Sequence, residues 1–135
     1  MNRVGNTCRR AAVAALLFLS NNPIFADTFD VRALWVVRDH IITADKIDDV
    51  LEFADINNYN HLFVQIRGRG DAYYTSRVVP RSHLLVGTDF DPLAYIIKKA
   101  RHYNIAIHAW INVYYLWSSQ VLPIQQDHLL YTQNS

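Results

Sequence analysis

The chain has 135 residues, 51% of them apolar, with 13 basic and 12 acidic side chains and a formal charge of +1. A balance this close to neutral excludes the strongly basic surface that nucleic-acid binding needs, so no nucleic-acid partner is expected. With one cysteine the chain excludes a disulfide framework and a multi-thiolate metal site.

Residues 1–26 read as a secretory signal peptide. Arg3, Arg9 and Arg10 give a positive start, Ala11 to Leu19 is uncharged and rich in alanine and leucine, and Pro23 breaks the run before Ile24-Phe25-Ala26. The apolar run falls short of the about 20 residues that span a bilayer, so no stable membrane insertion is expected after cleavage. Cys8 precedes the apolar run and would be removed with it. Loss of three arginines and no acid would turn the formal charge slightly negative. The expected location is outside the cytoplasm, periplasmic or secreted.

Asp30 to Arg38 is short and largely apolar, as in a strand of a sheet covered on both faces. Thr43 fits a helix N-cap. Ile47, Val50, Leu51 and Ala54 follow at helical spacing, with acids in the first turns where the helix dipole favours them. Asn57-Asn58 tolerates a left-handed exit. His61 to Arg67 alternates as a second strand. Gly68 to Phe90 is a long connection broken by Pro80 and Gly87. A connection that long is usually functional or disordered. Asp91 then caps a helix with Pro92 at its first position and Leu93, Ile96, Ile97 and Ala100 as its apolar stripe. Ile105 to Tyr115 is the third strand, with Ile105, Ile107, Ala109 and Ile111 on one face and Ala106, His108, Trp110 and Asn112 on the other. Beyond Leu116, and over 120–135 in particular, an irregular tail is expected, marking a truncation.

The order strand, helix, strand, helix, strand implies an α/β fold with parallel strands and right-handed crossovers. Three strands do not close a parallel barrel, so the chain reads as part of something larger. In such folds the carboxyl ends of the strands share one edge, where ligands bind. Arg38, Gln65, Arg67, Arg69, Tyr73, Tyr74, Trp110, Asn112 and Tyr114 are the candidates to hold substrate there, and Asp71 and His108 are the candidates for catalysis. Arginines supply forked donors and aromatic rings supply flat amphipathic faces. Each has a plainer reading. Asp71 reads more readily as a loop cap or an ion-pair partner of Arg67 or Arg69, whose charge favours the ionised form and opposes an acid role, His108 as a structural hydrogen-bonding residue, and Trp35 is assigned to packing rather than stacking. The six histidines show no metal-ligand spacing, and no cofactor loop is complete, so neither metal nor cofactor is expected.

The segments DVRALWVVRD, LFVQIRGRGDAYY, FDPLAYIIKKA and IHAWINVYYLWSS, in this order and separation, resemble the family 10 glycosyl-hydrolase-like domain of exported bacterial proteins. The resemblance covers roughly Phe29 to Ser119. It implies a (β/α)8 TIM-type barrel, of which 27–119 would be the N-terminal part with three strands and two helices. It also implies hydrolysis of glycosidic bonds, with a polysaccharide or cell-wall glycan as partner. With the rest of the barrel missing, part of the catalytic apparatus is expected to be absent. The alternatives are a non-catalytic carbohydrate-binding module or degenerate remnant, and a small self-contained α/β domain that dimerises through its open strand edges.

Overall fold

The computed structural model describes residues 30–132. The expected signal peptide and Cys8 lie outside the described residues.

Strands β1 (Ala33–Val36), β2 (His61–Arg67) and β3 (Ala106–Ile111) form one parallel sheet in the order β1-β2-β3. Helix α1 (Ala44–Ile56) joins β1 to β2, and helix α2 (Pro92–Ala100) joins β2 to β3. This is the expected α/β arrangement, an open sheet without a closed barrel, as three adjacent strands of a (β/α)8 barrel would be. The bounds of β2 match the sequence reading, but β1 and β3 are shorter than expected. β1 ends where Arg38–His40 turns into a 3-10 helix. β3 stops at Ile111 because its ladder partner β2 ends at Arg67, and the next N–H, that of Asn112, closes onto the Arg67 carbonyl at 3.0 Å.

One face of the sheet carries the core. Leu62, Val64 and Ile66 of β2 are buried against Ile47, Leu51 and Ala54 of α1 and Ile96 and Ala100 of α2. The two-residue period of the strand and the 3.6-residue period of the helices therefore meet as the sequence predicts, except that Ile97 remains half-exposed. On the opposite face Trp35 of β1 is 61% exposed, although its apolar bulk and strand setting favour packing. It stacks on Phe63 of β2 with ring centres 4.7 Å apart. That face has no helix layer among the described residues, so the aromatic side chains cover one another.

The caps are those expected. The Thr43 side chain accepts from the Lys46 N–H, and Asn58 leaves α1 at a φ of 58°. The Asp91 carboxylate accepts from the Ala94 N–H at 2.9 Å, and from the Thr75 N–H and hydroxyl at 2.9 and 2.8 Å. Partial burial works against ionisation of Asp91. These hydrogen bonds and the charge of Arg81 outweigh it, holding the pKa below the ordinary 3.8. A depressed carboxylate stabilises the fold above its unfolded pKa and loses that contribution as pH falls through the folded value. Asp91→Ala should cost about 1–2 kcal/mol at neutral pH through the lost cap. Asp91→Asn should keep most of the cap and lose only the charge-dependent part. Urea midpoints should therefore separate wild type from Asp91→Asn at pH 7, by a gap that narrows as the pH is lowered below the ordinary 3.8; an unchanged gap would mean that the charge contributes nothing.

The connection 68–90 has no regular element beyond a 3-10 turn at His83–Leu85, yet it is tied throughout. Ala72 exchanges main-chain bonds with the 80–82 stretch, at 2.8 Å to Pro80 and 2.9 Å from Ser82. Arg81 donates to the carbonyls of Leu85, Thr88 and Phe90. The stretch expected to be an irregular tail contains a short helix, α3 (Leu129–Thr132), and Gln125 within it donates to the Arg81 carbonyl at 3.0 Å. A four-residue helix is too short to show a period in sequence.

Candidate functional site

The parallel sheet brings Arg38, Arg67 to Gly70 and Asn112 to the carboxyl ends of adjacent strands. Arg38 donates from Nη1 to Gln65 Oε1 at 3.1 Å, joining the end of β1 to β2. Gly68 makes that crossing possible, since a Cβ there would stand 2.5 Å from Arg38 Nη1. Next to it, Asn112 donates from Nδ2 to the Gly68 carbonyl at 3.2 Å and accepts from Trp110 Nε1 at 2.9 Å, joining β2 to β3. Gln65 is the register partner of Trp110, and the ladder is irregular between Gln65 and Arg67. Such an irregularity re-aims side chains at the end of a strand. The result is a row of polar groups that crosses all three strand ends. Arg67 Nε lies in the same region, shielded from solvent and without a hydrogen-bond partner.

His108 is held lower on the bare face. It is the register partner of Phe63 and lies one same-face step before Trp110. Its ring stacks on Phe63 at 4.7 Å, and its Nε2 is 2.8 Å from Nδ1 of His61. One of these two nitrogens therefore carries the shared proton. Asp71 lies in the loop beyond the rim and is buried, with Oδ1 accepting from the Arg69 N–H at 3.3 Å. Among the described residues no hydrogen bond or ion pair joins Asp71 to His108, and the recorded bond of Asp71 is the loop-capping one.

The aromatic candidates separate. Tyr73 is 1% exposed and belongs to the hydrophobic core, so its ring is not on the surface where a sugar would stack. Burial, helped by the charge of Asp71, pushes its phenol above the ordinary 10.0. Tyr74 packs against that core, half-buried. Trp110 is half-buried at the rim with its indole N–H fixed by Asn112, and Tyr114, just beyond β3, is almost fully exposed.

Sequence reasoning missed His128. It is fully buried, with Nε2 2.6 Å from the Arg69 carbonyl, and its Nδ1 accepts from the Leu130 N–H at 3.2 Å. An accepting Nδ1 places the ring proton on Nε2, which donates to Arg69. The ring sits where Gly70, at a φ of 80°, lacks a side chain, since a Cβ there would lie 2.9 Å from it. Trp117 packs edge-on against the same ring, with ring centres 5.3 Å apart. No local pattern in the sequence points to His128; the only hint is a glycine in the loop it meets.

A groove of about 350 Å³ lies away from the rim, between the free flank of β1 and α1, and is lined by Leu34, Trp35, Val50 and Phe53 among others. Among the described residues no group of three or more His, Cys, Asp and Glu is placed to hold a metal ion, and no helix is long and apolar enough to cross a membrane.

Residues 30–133 match the model of the family described as Glycosyl hydrolase-like 10. The chain is 36% identical over 89 residues to Glycosyl hydrolase YngK of Bacillus subtilis, a match covering 61% of this chain and 17% of that protein. It is 29% identical over 75 residues to Glycosyl hydrolase DigH of Escherichia coli K12, covering 52% of this chain and 16% of that protein. The matches thus span about a sixth of the length of these curated relatives. The sheet, its polar rim and the family match over most of the sequence lead to one assignment: this chain belongs to the glycosyl hydrolase-like 10 family.

Proposed function

We propose that the chain supplies three adjacent strands of an exported glycoside-hydrolase-like barrel, and that their rim binds a polysaccharide or cell-wall glycan. The observation that carries this reading is the polar row over three strand ends, Arg38–Gln65 beside Gly68–Asn112–Trp110. It offers forked donors, amide groups and a fixed indole face at the edge where parallel α/β folds bind ligands. Glycoside hydrolysis usually takes two carboxylates, about 5–5.5 Å apart for retention or about 6.5–9.5 Å for inversion. Within this chain Asp71 is the best-placed acid, and His108 lies on the same face of β3 one step before Trp110. The main-chain bond to Asp71 favours a second reading, in which these strands contribute binding and later strands of the barrel complete the acid pair.

Binding to soluble polysaccharides and cell-wall glycan fragments, with reducing-end release measured alongside, tests both readings. Gln65 is itself buried and acts by holding Arg38, so Trp110→Ala and Arg38→Ala should each weaken glycan binding about tenfold, the loss expected when a stacked or hydrogen-bonded partner is removed. Unchanged binding in both variants would remove the rim from the site. Reducing-end release that disappears in Asp71→Asn would assign hydrolysis to this chain, whereas binding without release would favour the second reading.

A further inference from the structure

Arg69 stands apart from the hydrogen-bonded rim. Its guanidinium carbon lies 5.7 Å from the centre of the Trp117 ring, and its Nε is shielded from solvent with no hydrogen-bond partner. The acid closest to it in sequence, Asp71, accepts from its main-chain N–H. No ion pair recorded among the described residues includes Arg69. The shielded Nε cannot itself meet a ligand arriving from solvent, so contact with one falls to the outer guanidinium N–H groups.

Beside Arg69 is a cavity of about 180 Å³, whose lining includes His83, Trp117, Ser119, Leu122 and Pro123 and no acidic side chain. Two distant stretches build it: the loop after β2 brings Arg69, and the segment after β3 brings the aromatic and apolar wall. The buried His128 holds them together through the Arg69 carbonyl, and Trp117 Nε1 fixes the wall by donating to the Val121 carbonyl at 2.8 Å. The cavity is smaller than the about 300–1,000 Å³ of pockets that take drug-sized ligands, so it suits one sugar unit rather than an oligosaccharide.

From these features we infer a subsite that receives the carboxylate of an acidic sugar unit. The Arg69 fork meets the carboxylate, Ser119 offers a hydroxyl, and the wall of Trp117, Leu122 and Pro123 takes the C–H face of the ring. A forked guanidinium suits a carboxylate better than a neutral hydroxyl, and the apolar wall favours a sugar acid over a bare anion. The inference rests on the carbohydrate reading above and adds a charge preference to it.

Calorimetric titration of the full chain with glucuronate, glucose and acetate tests the subsite. Glucuronate should bind at least about tenfold more tightly than either of the others, the range expected for a charge-assisted hydrogen bond joined to apolar contact. Arg69→Gln should abolish the preference for glucuronate over glucose, and Arg69→Lys, which keeps the charge without the fork, should retain part of it. Equal binding of glucuronate and glucose, or a preference unchanged in Arg69→Gln, would overturn the subsite. Acetate binding as tightly as glucuronate would also overturn it, leaving an adventitious anion site. The outcome is separable from that of the rim. Neutral glycan that binds in a Trp110-dependent way without an Arg69-dependent charge preference would leave the rim standing and remove only the subsite.

Discussion

Leu62→Ala should destabilise the fold by about 2–5 kcal/mol, the range for truncating a buried leucine into a cavity. Leu62 is fully buried in the central strand, and its side lies in the core between the sheet and the two helices. Neither neighbour can relax far into the space, because α1 and α2 are both anchored at their N-termini, by Thr43 and Asp91. Trp35→Ala removes a larger side chain but should cost far less, about 0.5–1.5 kcal/mol for the lost stack on Phe63. The difference follows from exposure: Trp35 already faces water over most of its surface. Urea unfolding followed by far-UV circular dichroism compares the two without relying on tryptophan emission. A Trp35→Ala cost equal to that of Leu62→Ala would show that the bare face of the sheet is covered in solution.

Gly70→Ala should be clearly more damaging than the same methyl addition at Gly87 in the loop after β2. The backbone there sits at a φ of 80°, where a Cβ costs about 1–2 kcal/mol. The same Cβ would press on the buried His128 ring at 2.9 Å and approach the Leu116 carbonyl at 3.3 Å, an overpacking worth about 1–3 kcal/mol more. Gly87→Ala supplies the control. Gly87 has a φ of 79° but nothing within 4 Å of an added Cβ, so only the backbone contribution applies. Gly70→Ala should therefore lower the urea midpoint more than Gly87→Ala. It should also open the 116–128 segment to proteolysis, as His128 loses its place against Arg69. Equal midpoints and unchanged cleavage would mean that His128 does not hold the segment there.

The contrast between these two glycines shows how far the sequence could be read. Residues that act on near neighbours were legible. Thr43 and Asp91-Pro92 announce helix starts, Asn58 an exit, and the alternation of His61 to Arg67 gives both a strand and the side it buries. Those signals depend on main-chain geometry within a turn or a strand, so a few adjacent residues contain them. The parallel order was legible for a related reason, since a helix between two strands leaves little other choice. The rim followed from that order, because parallel strands put their carboxyl ends together.

What each rim residue does was not legible. Arg38 and Gln65 are 27 residues apart, and His128 reaches Arg69 across 59. Amphipathic rings are ambiguous in the same way. Tyr73 and Tyr74 are adjacent and alike in sequence, yet one enters the core and the other stays half-buried. Trp35 has the composition of a packing residue but lies on the face that no helix covers among the described residues. The amino-acid order by itself determined the elements, their caps, the parallel succession and the edge where polar groups gather, because local backbone preferences and chain connectivity specify these. Only the tertiary structure decided that Tyr73 is core, that Trp35 is bare, that Gln65 is tied to Arg38, and that His128 closes the loop beside Arg69. Burial of a side chain depends on what packs over it, and that neighbour comes from a distant part of the chain.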